Sequence, residues 1–481
     1  MIGLKVLLLA ATGFWAGEGP DDLVRQLGSP RFSEREAAAQ ALKGLGRDAL
    51  SVLRSAREAQ DPEVRTRASG LVEQIETALM VQPTLVRLDF RDAPLADVVR
   101  SLGEQAHVTL NLVPENGPAW ANRRVTLQET EPVPFWKAID ELCEVAQLQV
   151  MPAMQMLGMG QPGRQPAMSL MASPLPPGPS FVHGPFRVGL NKIVLHRERN
   201  FAAGFQGGMG NMLVFNGNVG RPGQPLQPAN APRQVEGGMP GVPTELFNLE
   251  VMLSAEPRMT IVQEPERTWK LTEAVDEKGQ SLLPPPSQNA IQHYAGYNGF
   301  NPTGQPAIQI VMPLNLPANP GRVIKRLRGT IPVMVLARKD DPLVVPLDQK
   351  GKTFQSPQLR LQIHEVKKDP NGNTMIELTA KLTSDESVPP QLRQAQGFGA
   401  ELIAFRHNPG NPQNPIEIVD AQGRAFPQWF ASNAQPSPDG TRMMLRLMPA
   451  EGFGEPVEIR FYEMARASSE IPFELDDIPM P

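Results

Sequence analysis

Six histidines, one cysteine and several carboxylate pairs are the side chains here that could do chemistry, and their spacing argues against most of it. The histidines stand at His107, His183, His196, His293, His364 and His407, none within metal-ligand spacing of another. His364-Glu365 opens as an H-E-x-x-H zinc helix would. Lys368 occupies the fifth position, however, and Leu361 and Ile363 alternate as in a strand, leaving His364 on its polar side with Arg360 and Gln362. Asp369-x-Asn371-x-Asn373 has the opening spacing of a calcium loop. Thr374 replaces its glycine, and Ala380 stands where a bidentate glutamate is needed, so the segment predicts a hairpin turn. Gly208-Met209-Gly210 lacks the third glycine and the strand–helix setting of a dinucleotide site, and neither a Walker A segment nor a G-x-S-x-G elbow occurs. Asp21-Asp22, Asp340-Asp341 and Asp476-Asp477 fall at loops or ends, where carboxylates solubilise rather than exchange protons. Cys143, the only cysteine, lies on an apolar helical stripe and reads as a buried thiol without a disulfide partner in the chain.

Methionine offers a different chemistry. Met151, Met154, Met156 and Met159, followed by Met168 and Met171, place soft thioether sulfur at the spacing of Cu(I) carriers. No histidine or cysteine reinforces them, and adaptable methionine also gathers in loosely packed linkers. The residues thus assign no catalytic, cofactor-binding or metal site, and the chain reads as a non-enzymatic binding protein. Two alternatives stand beside that reading: a copper-handling protein using the methionines, and a hydrolase whose site is built by loops of a β-sandwich.

The elements that would position any site come in several domains, since 481 residues exceed one core. Fifty-one prolines and 41 glycines cluster between periodic stretches, as linkers and long loops do. A net charge of −5 with both signs interspersed leaves no basic face for nucleic acid. Lys5 precedes the apolar run Val6-Leu7-Leu8-Leu9-Ala10-Ala11, which resembles a secretory signal peptide over 1–17 and falls short of the ~20 residues a membrane-spanning helix needs. The expected location is therefore outside the cytoplasm, in the periplasm or associated with the cell envelope.

Residues 18–82 read as helices. Ser33 and Glu36 form a capping box, Asp48 can cap a following helix, and Asp61-Pro62 starts another. Asp61-Pro62-Glu63-Val64-Arg65-Thr66-Arg67-Ala68 resembles the D-P-x-V-R-x-x-A signature of HEAT repeats, although only about two helical hairpins fit. From 84 to 152 the pattern is βαββαβ. Val86, Leu88 and Phe90 alternate; Leu95, Val98, Val99 and Leu102 repeat helically behind Pro94; Val108, Leu110 and Leu112 alternate. Val125-Thr126-Leu127 is a short strand, Phe135, Trp136, Ile139, Leu142 and Cys143 follow Pro134 as a second helix, and Leu148 and Val150 close the unit. This stretch, with its D-x-P-L helix start at Asp92-Ala93-Pro94-Leu95, resembles the short N-terminal domain shared by secretins and TonB-dependent receptors. The resemblance implies a docking piece that contacts other envelope proteins and possesses no catalytic residues. A membrane barrel follows it in that family, and the series of lipid-facing amphipathic strands with aromatic girdles expected of one is not found in this sequence, so only the docking role carries over.

Residues 153–182 read as a Met/Pro/Gly-rich linker. Two mostly antiparallel β-sandwiches are expected at 183–350 and 351–481, with disordered inserts at 202–243 and 284–306 in the first. Lys339-Asp340-Asp341-Pro342 and Asp369-Pro370-Asn371-Gly372-Asn373 are the predicted turns. The expected whole is a multidomain α+β scaffold accessory to a secretion or outer-membrane system. Its small module would accept an added strand on an open sheet edge, provided the helices or a sandwich do not already cover that edge.

Overall fold

The computed structural model describes residues 19–113, 120, 122–151, 168–173, 176–199, 243–262, 268–284, 307–383 and 415–481. The leader expected at 1–17, much of the 153–182 segment, and nearly all of the inserts expected at 202–243 and 284–306 lie outside the described residues. The fold is mixed α+β and rich in antiparallel sheet.

Helices α1 (Pro20–Gln26), α2 (Phe32–Leu45), α3 (Leu50–Ala56) and α4 (Pro62–Met80) enclose Leu27, Leu42, Leu53, Ala68 and Val72. Asp61 caps α4 as expected, its carboxylate accepting from the Glu63 N–H at 2.8 Å. Ser33 does not cap α2, which already begins at Phe32; Ser29 instead donates to the Glu34 carboxylate at 2.5 Å. Asp48 likewise falls inside a 3-10 turn (Gly46–Ala49), because the chain tightens after Gly46 at φ +56°.

The following module runs β1 (Leu85–Val86), β2 (Asp89–Pro94), α5 (Leu95–Ala106), β3 (Leu110–Val113), β4 (Arg124–Gln128), β5 (Val133–Pro134), α6 (Phe135–Ala146) and β6 (Leu148–Met151). Both helices lay a full apolar face, including Leu95, Val98, Phe135 and Ile139, into one core. The two helices and strands β3, β4 and β6 come in the order the periodicity suggests. The strand expected over Val86–Phe90, however, divides into β1, paired with the added β5, and β2, paired with β4, and a further strand is added. Strand β7 (Met168–Ala172), within the expected linker, inserts between β3 and β6, parallel to the first and antiparallel to the second. Leu170 at its centre is fully buried. Met-Ser-Leu-Met-Ala alternates like any half-buried strand, but its neighbours' composition hides it.

The remaining strands form two face-to-face sheet pairs. In the first, the sheet β13–β10–β9–β8 (Ala307–Leu314, Pro243–Ala255, Phe186–Arg199, Ser180–His183) packs on β11 (Thr260–Val262), β12 (Lys270–Asp276), the first part of β14 (Val323–Pro346) and the last part of β21 (Pro456–Pro479). In the second, the sheet β15–β16–β17–β20–β19 (Thr353–Gln355, Leu359–Lys368, Thr374–Leu382, Gly440–Leu447, Trp429–Ser437) packs on β18 (Ile416–Asp420), the first part of β21 and the last part of β14. The break expected near Lys350 is therefore not a boundary. Strands β14 and β21, each 24 residues and about 80 Å long, pair antiparallel throughout and run through both cores. Lys339–Pro342, expected to reverse the chain, is instead a bulge within β14, where the register shifts between Arg338 and Pro342.

Most strands of the two pairs correspond. The hairpin β9–β10 corresponds to β16–β17, β12 to β18, β13 to β20 and β14 to β21. Strands β12 and β18 end in the same turn, Val275-Asp276-x-x-Gly279 and Val419-Asp420-x-x-Gly423, with the glycines at φ +74° and +76°. One Asp276 carboxylate oxygen accepts from the N–H groups of Lys278 and Gln280 at 2.9 and 2.8 Å, and the other from Gly321 at 2.7 Å. Asp420 does the same with Gln422 and Arg424 at 3.0 and 2.9 Å, and with Gly454 at 3.2 Å. Each aspartate thus pins the segment leading into its long strand. Burial pushes the Asp420 carboxyl upward, but the Arg424 guanidinium and these N–H groups outweigh it and hold the group at about 2.

Candidate docking interface

The residues whose types could do chemistry are scattered over the fold. His107 ends α5 in the left-handed region at φ 53°, His183 ends β8, and His196 lies in β9. His364 is the bulged residue of β16 and hydrogen-bonds Thr379 Oγ1 through Nε2 at 2.7 Å. His293 and His407 are outside the described residues. Asp369 organises a hairpin turn, accepting from the N–H groups of Asn371 and Asn373 at 2.8 and 3.0 Å and from Arg446 at 2.9 Å. Burial pushes the Cys143 thiol up to about 12, with Asp140 adding to the shift, so it stays protonated and inert.

The carboxylate pairs are dispersed. Asp21 and Asp22 lie in the first turn of α1, Asp341 pairs with Arg54 at 2.6 Å, and Asp477 pairs with Lys325 at 2.6 Å. Among the described residues no group of three or more His, Cys, Asp or Glu could hold a metal ion. Met151, Met168 and Met171 sit in β6 and β7, while Met154, Met156 and Met159 are outside the described residues. Two concavities of about 300 and 370 Å³ flank α4, and each is lined by a single ionisable side chain, Lys43 or Glu73. A general acid and base do not converge in either.

What the fold does assemble is a surface. The module presents two outward sheets of opposite character. The ribbon β2–β4 is bulged between Phe90 and Ala93, with Asp92 at φ 45°, and it bristles with charge. Arg124 pairs with Asp92 at 2.9 Å, and Asp89 and Arg91 stand beside them. Bulges and charges of this kind blunt a sheet edge against further pairing.

The sheet β3–β7–β6 has neither device. Leu-Asn-Leu-Val, Met-Ser-Leu-Met-Ala and Leu-Gln-Val-Met include no ionisable residue. Leu112, Leu148 and Leu170 point into the core. The outer face shows two cross-strand rows in register: Val113, Met171 and Gln149, then Asn111, Ser169 and Met151. Val113 and Met171, adjacent in the first row, are 36% and 37% exposed. Among the described residues β3 and β6 pair with β7 alone, and nothing described pairs along their outer sides.

This sheet is held on a firm base. Trp136 of α6 donates from its indole to the Pro185 carbonyl at 3.2 Å, and Asp140 accepts from Ser180 and Arg187 at 2.8 and 2.7 Å. The Thr84 N–H and hydroxyl donate to the Glu256 carboxylate at 2.8 and 2.6 Å, and Arg258 donates to it at 2.8 Å. Glu256 is 1% exposed, and these bonds offset the cost of burying its charge. The helices are fixed as well: Met80 of α4 enters the first sandwich core, and at the β14 bulge Glu76 meets Lys339 at 3.6 Å. These anchors engage α6, the segment before β1, and α4. The outer face of β3–β7–β6 takes no part in them.

Sequence reasoning identified the module but missed β7, the strand that completes this sheet. The Met168/Leu170 alternation was the available signal. Compared with known proteins, the chain matches no family model, no curated protein and no solved structure. Among the described residues no helix is long and apolar enough to cross a membrane.

Proposed function

We propose that this chain is an exported, non-enzymatic scaffold of a cell envelope, accessory to a secretion or outer-membrane system, which docks other envelope proteins on the β3–β7–β6 sheet. The observation behind this reading is an uncharged outer face, with two strand edges unpaired among the described residues, on an anchored module. Adding a partner strand along β3 or β6 would satisfy the outward backbone groups, and face packing over Val113 and Met171 would remove apolar area from water.

Further support comes from resemblance. The module's two helices between short strands and its Asp92-Ala93-Pro94-Leu95 start resemble those of the secretin/TonB short N-terminal domain, a docking piece in its own family. The helical segment with its HEAT-like Asp61–Ala68 stretch serves as a buttress in this reading, since its α4 is tied to the sandwich. Export rests on Lys5 and the apolar run Val6–Ala11.

The test is chemical crosslinking of the native envelope followed by mass spectrometry. The expected result is adducts joining other envelope proteins to peptides that contain β3, β6 or β7. Fractionation of the chain entirely with the cytoplasm, or adducts that avoid this sheet, would refute the proposal.

A further inference from the structure

The two sandwiches share the β14–β21 ribbon, and the ribbon is interrupted where they meet. Arg338 pairs with Met464 and Pro342 with Tyr462, so Lys339, Asp340 and Asp341 of β14 stand against Glu463 alone. Extra residues on one strand break the ladder and bend that strand. Pro342, at the far end of the bulge, has no N–H to give. Ala337 and Ala467 belong to the first core, and Val345 and Phe461 to the second. Between them, none of Arg338–Pro342 or Tyr462–Met464 belongs to either core. The joint therefore lacks an unbroken ladder and the packing of either core.

Charged side chains of the helices grip this joint. Arg54 of α3 meets Asp341 at 2.6 Å and Glu76 of α4 at 3.0 Å. Lys339 lies between Glu76 at 3.6 Å and Glu463 at 3.3 Å. A chain of charges, Asp341–Arg54–Glu76–Lys339–Glu463, thus runs from β14 through the helices and back to β21. The Glu76 and Glu463 side chains are each 14% exposed, so these pairs are screened less than surface ones, and they act as a network. The helices are themselves fixed to the first sandwich. Met80 at the end of α4 lies in its core, and Arg258 donates to the Gln82 carbonyl just beyond. Two other ties cross the joint: Arg338 to Glu417 at 2.7 Å, and the Gln358 amide to the Met464 backbone at 2.9 and 3.0 Å. Neither engages the bulged residues.

We propose that the β14 bulge is a hinge between the two sandwiches and that the helical segment is a strut, anchored in the first sandwich, whose ion pairs lock the hinge in one setting. Asp341 immediately precedes Pro342, where β14 resumes pairing and enters the second sandwich, so a grip on Asp341 sets the direction in which that sandwich leaves. Releasing the chain of charges frees the second sandwich to swing while both cores stay intact. The hinge stands on the joint alone, whether or not the small module docks a partner.

The test is the distance distribution between spin labels on the full chain, attached at Lys270→Cys in the first sandwich and Ala421→Cys in the second. Both positions are exposed, and the native Cys143 is buried. With the joint unaltered, one narrow distribution is expected. Glu76→Gln removes the middle of the chain of charges and should widen the distribution about twofold or more. Asp341→Asn, at a side chain 71% exposed, should widen it less. Asp477→Asn breaks the Lys325 pair, thirteen or more residues from the bulge along either strand, and should leave it narrow. Should Glu76→Gln fail to fold, Asp341→Asn decides, since its exposed side chain supports no core. Three results would overturn the proposal: widths unchanged in the joint variants, a distribution already broad with the joint unaltered, or equal widening by Asp477→Asn.

Discussion

The two outward sheets of the small module share one core and differ in almost everything a partner would meet. The ribbon β2–β4 is bulged and charged, with Asp89, Arg91, Asp92 and Arg124 at its surface. The sheet β3–β7–β6 is regular and uncharged, with Val113 and Met171 side by side on its outer face. Charge and a bulge protect the ribbon against further pairing, and the second sheet has neither device.

The largest expected effect comes from removing the strand that makes the bare sheet. Leu170 is fully buried, and Leu170→Ala should cost about 2–5 kcal/mol of module stability in denaturant unfolding followed by Trp136 fluorescence. Phe90→Ala in the ribbon, a half-buried position, should cost less. Next is charging the bare face. Val113→Lys combined with Met171→Lys should lower partner capture about tenfold or more, while stability moves by only about 0.5 kcal/mol per substitution. Unchanged capture would erase the functional half of the contrast.

Acid separates the sheet from its frame. The Asp420 carboxyl lies at about 2, below its ordinary value, so its stabilising share is complete above the ordinary carboxylate range and fades as pH falls toward about 2. Thermal melts from pH 6 downward should therefore show the second sandwich weakening below about pH 4, and Asp420→Asn should lose that added steepness. The bare sheet has no group to titrate, so capture should be constant from about pH 5 to 8. The smallest effects belong to the ribbon's exposed ion pair. Arg124→Ala should change stability by about 1 kcal/mol or less and leave capture untouched. Salt raised from about 50 to about 500 mM should hardly alter capture by an uncharged face.

Much of the module was legible because its apolar residues repeat with the period of their element: Leu95, Val98, Val99 and Leu102 in α5, and Leu110 and Leu112 in β3. Strand β7 was not, since five residues of alternation are easily lost among Met, Pro and Gly neighbours, and its partner β3 is more than fifty residues away. The same limit explains the sandwiches. The strands could be found one by one, but local pattern does not tell whether a strand stays in its own core, and β14 and β21 each serve two. Lys339-Asp340-Asp341-Pro342 has turn composition, yet at this bulge Lys339 and Asp341 are taken up by Glu76 and Arg54 of the helices, contacts formed only after folding. The Asp276 and Asp420 turns were visible as matching V-D-x-x-G text, and comparing the halves with each other would have revealed the repeat.

The most direct test is site-specific photo-crosslinking in the native envelope, with a photoreactive amino acid at position 113 in one variant and at position 91 in another. The account predicts discrete adducts with another envelope protein from position 113 and none from position 91. Adducts from position 91 alone, or equal yields from both, would contradict it.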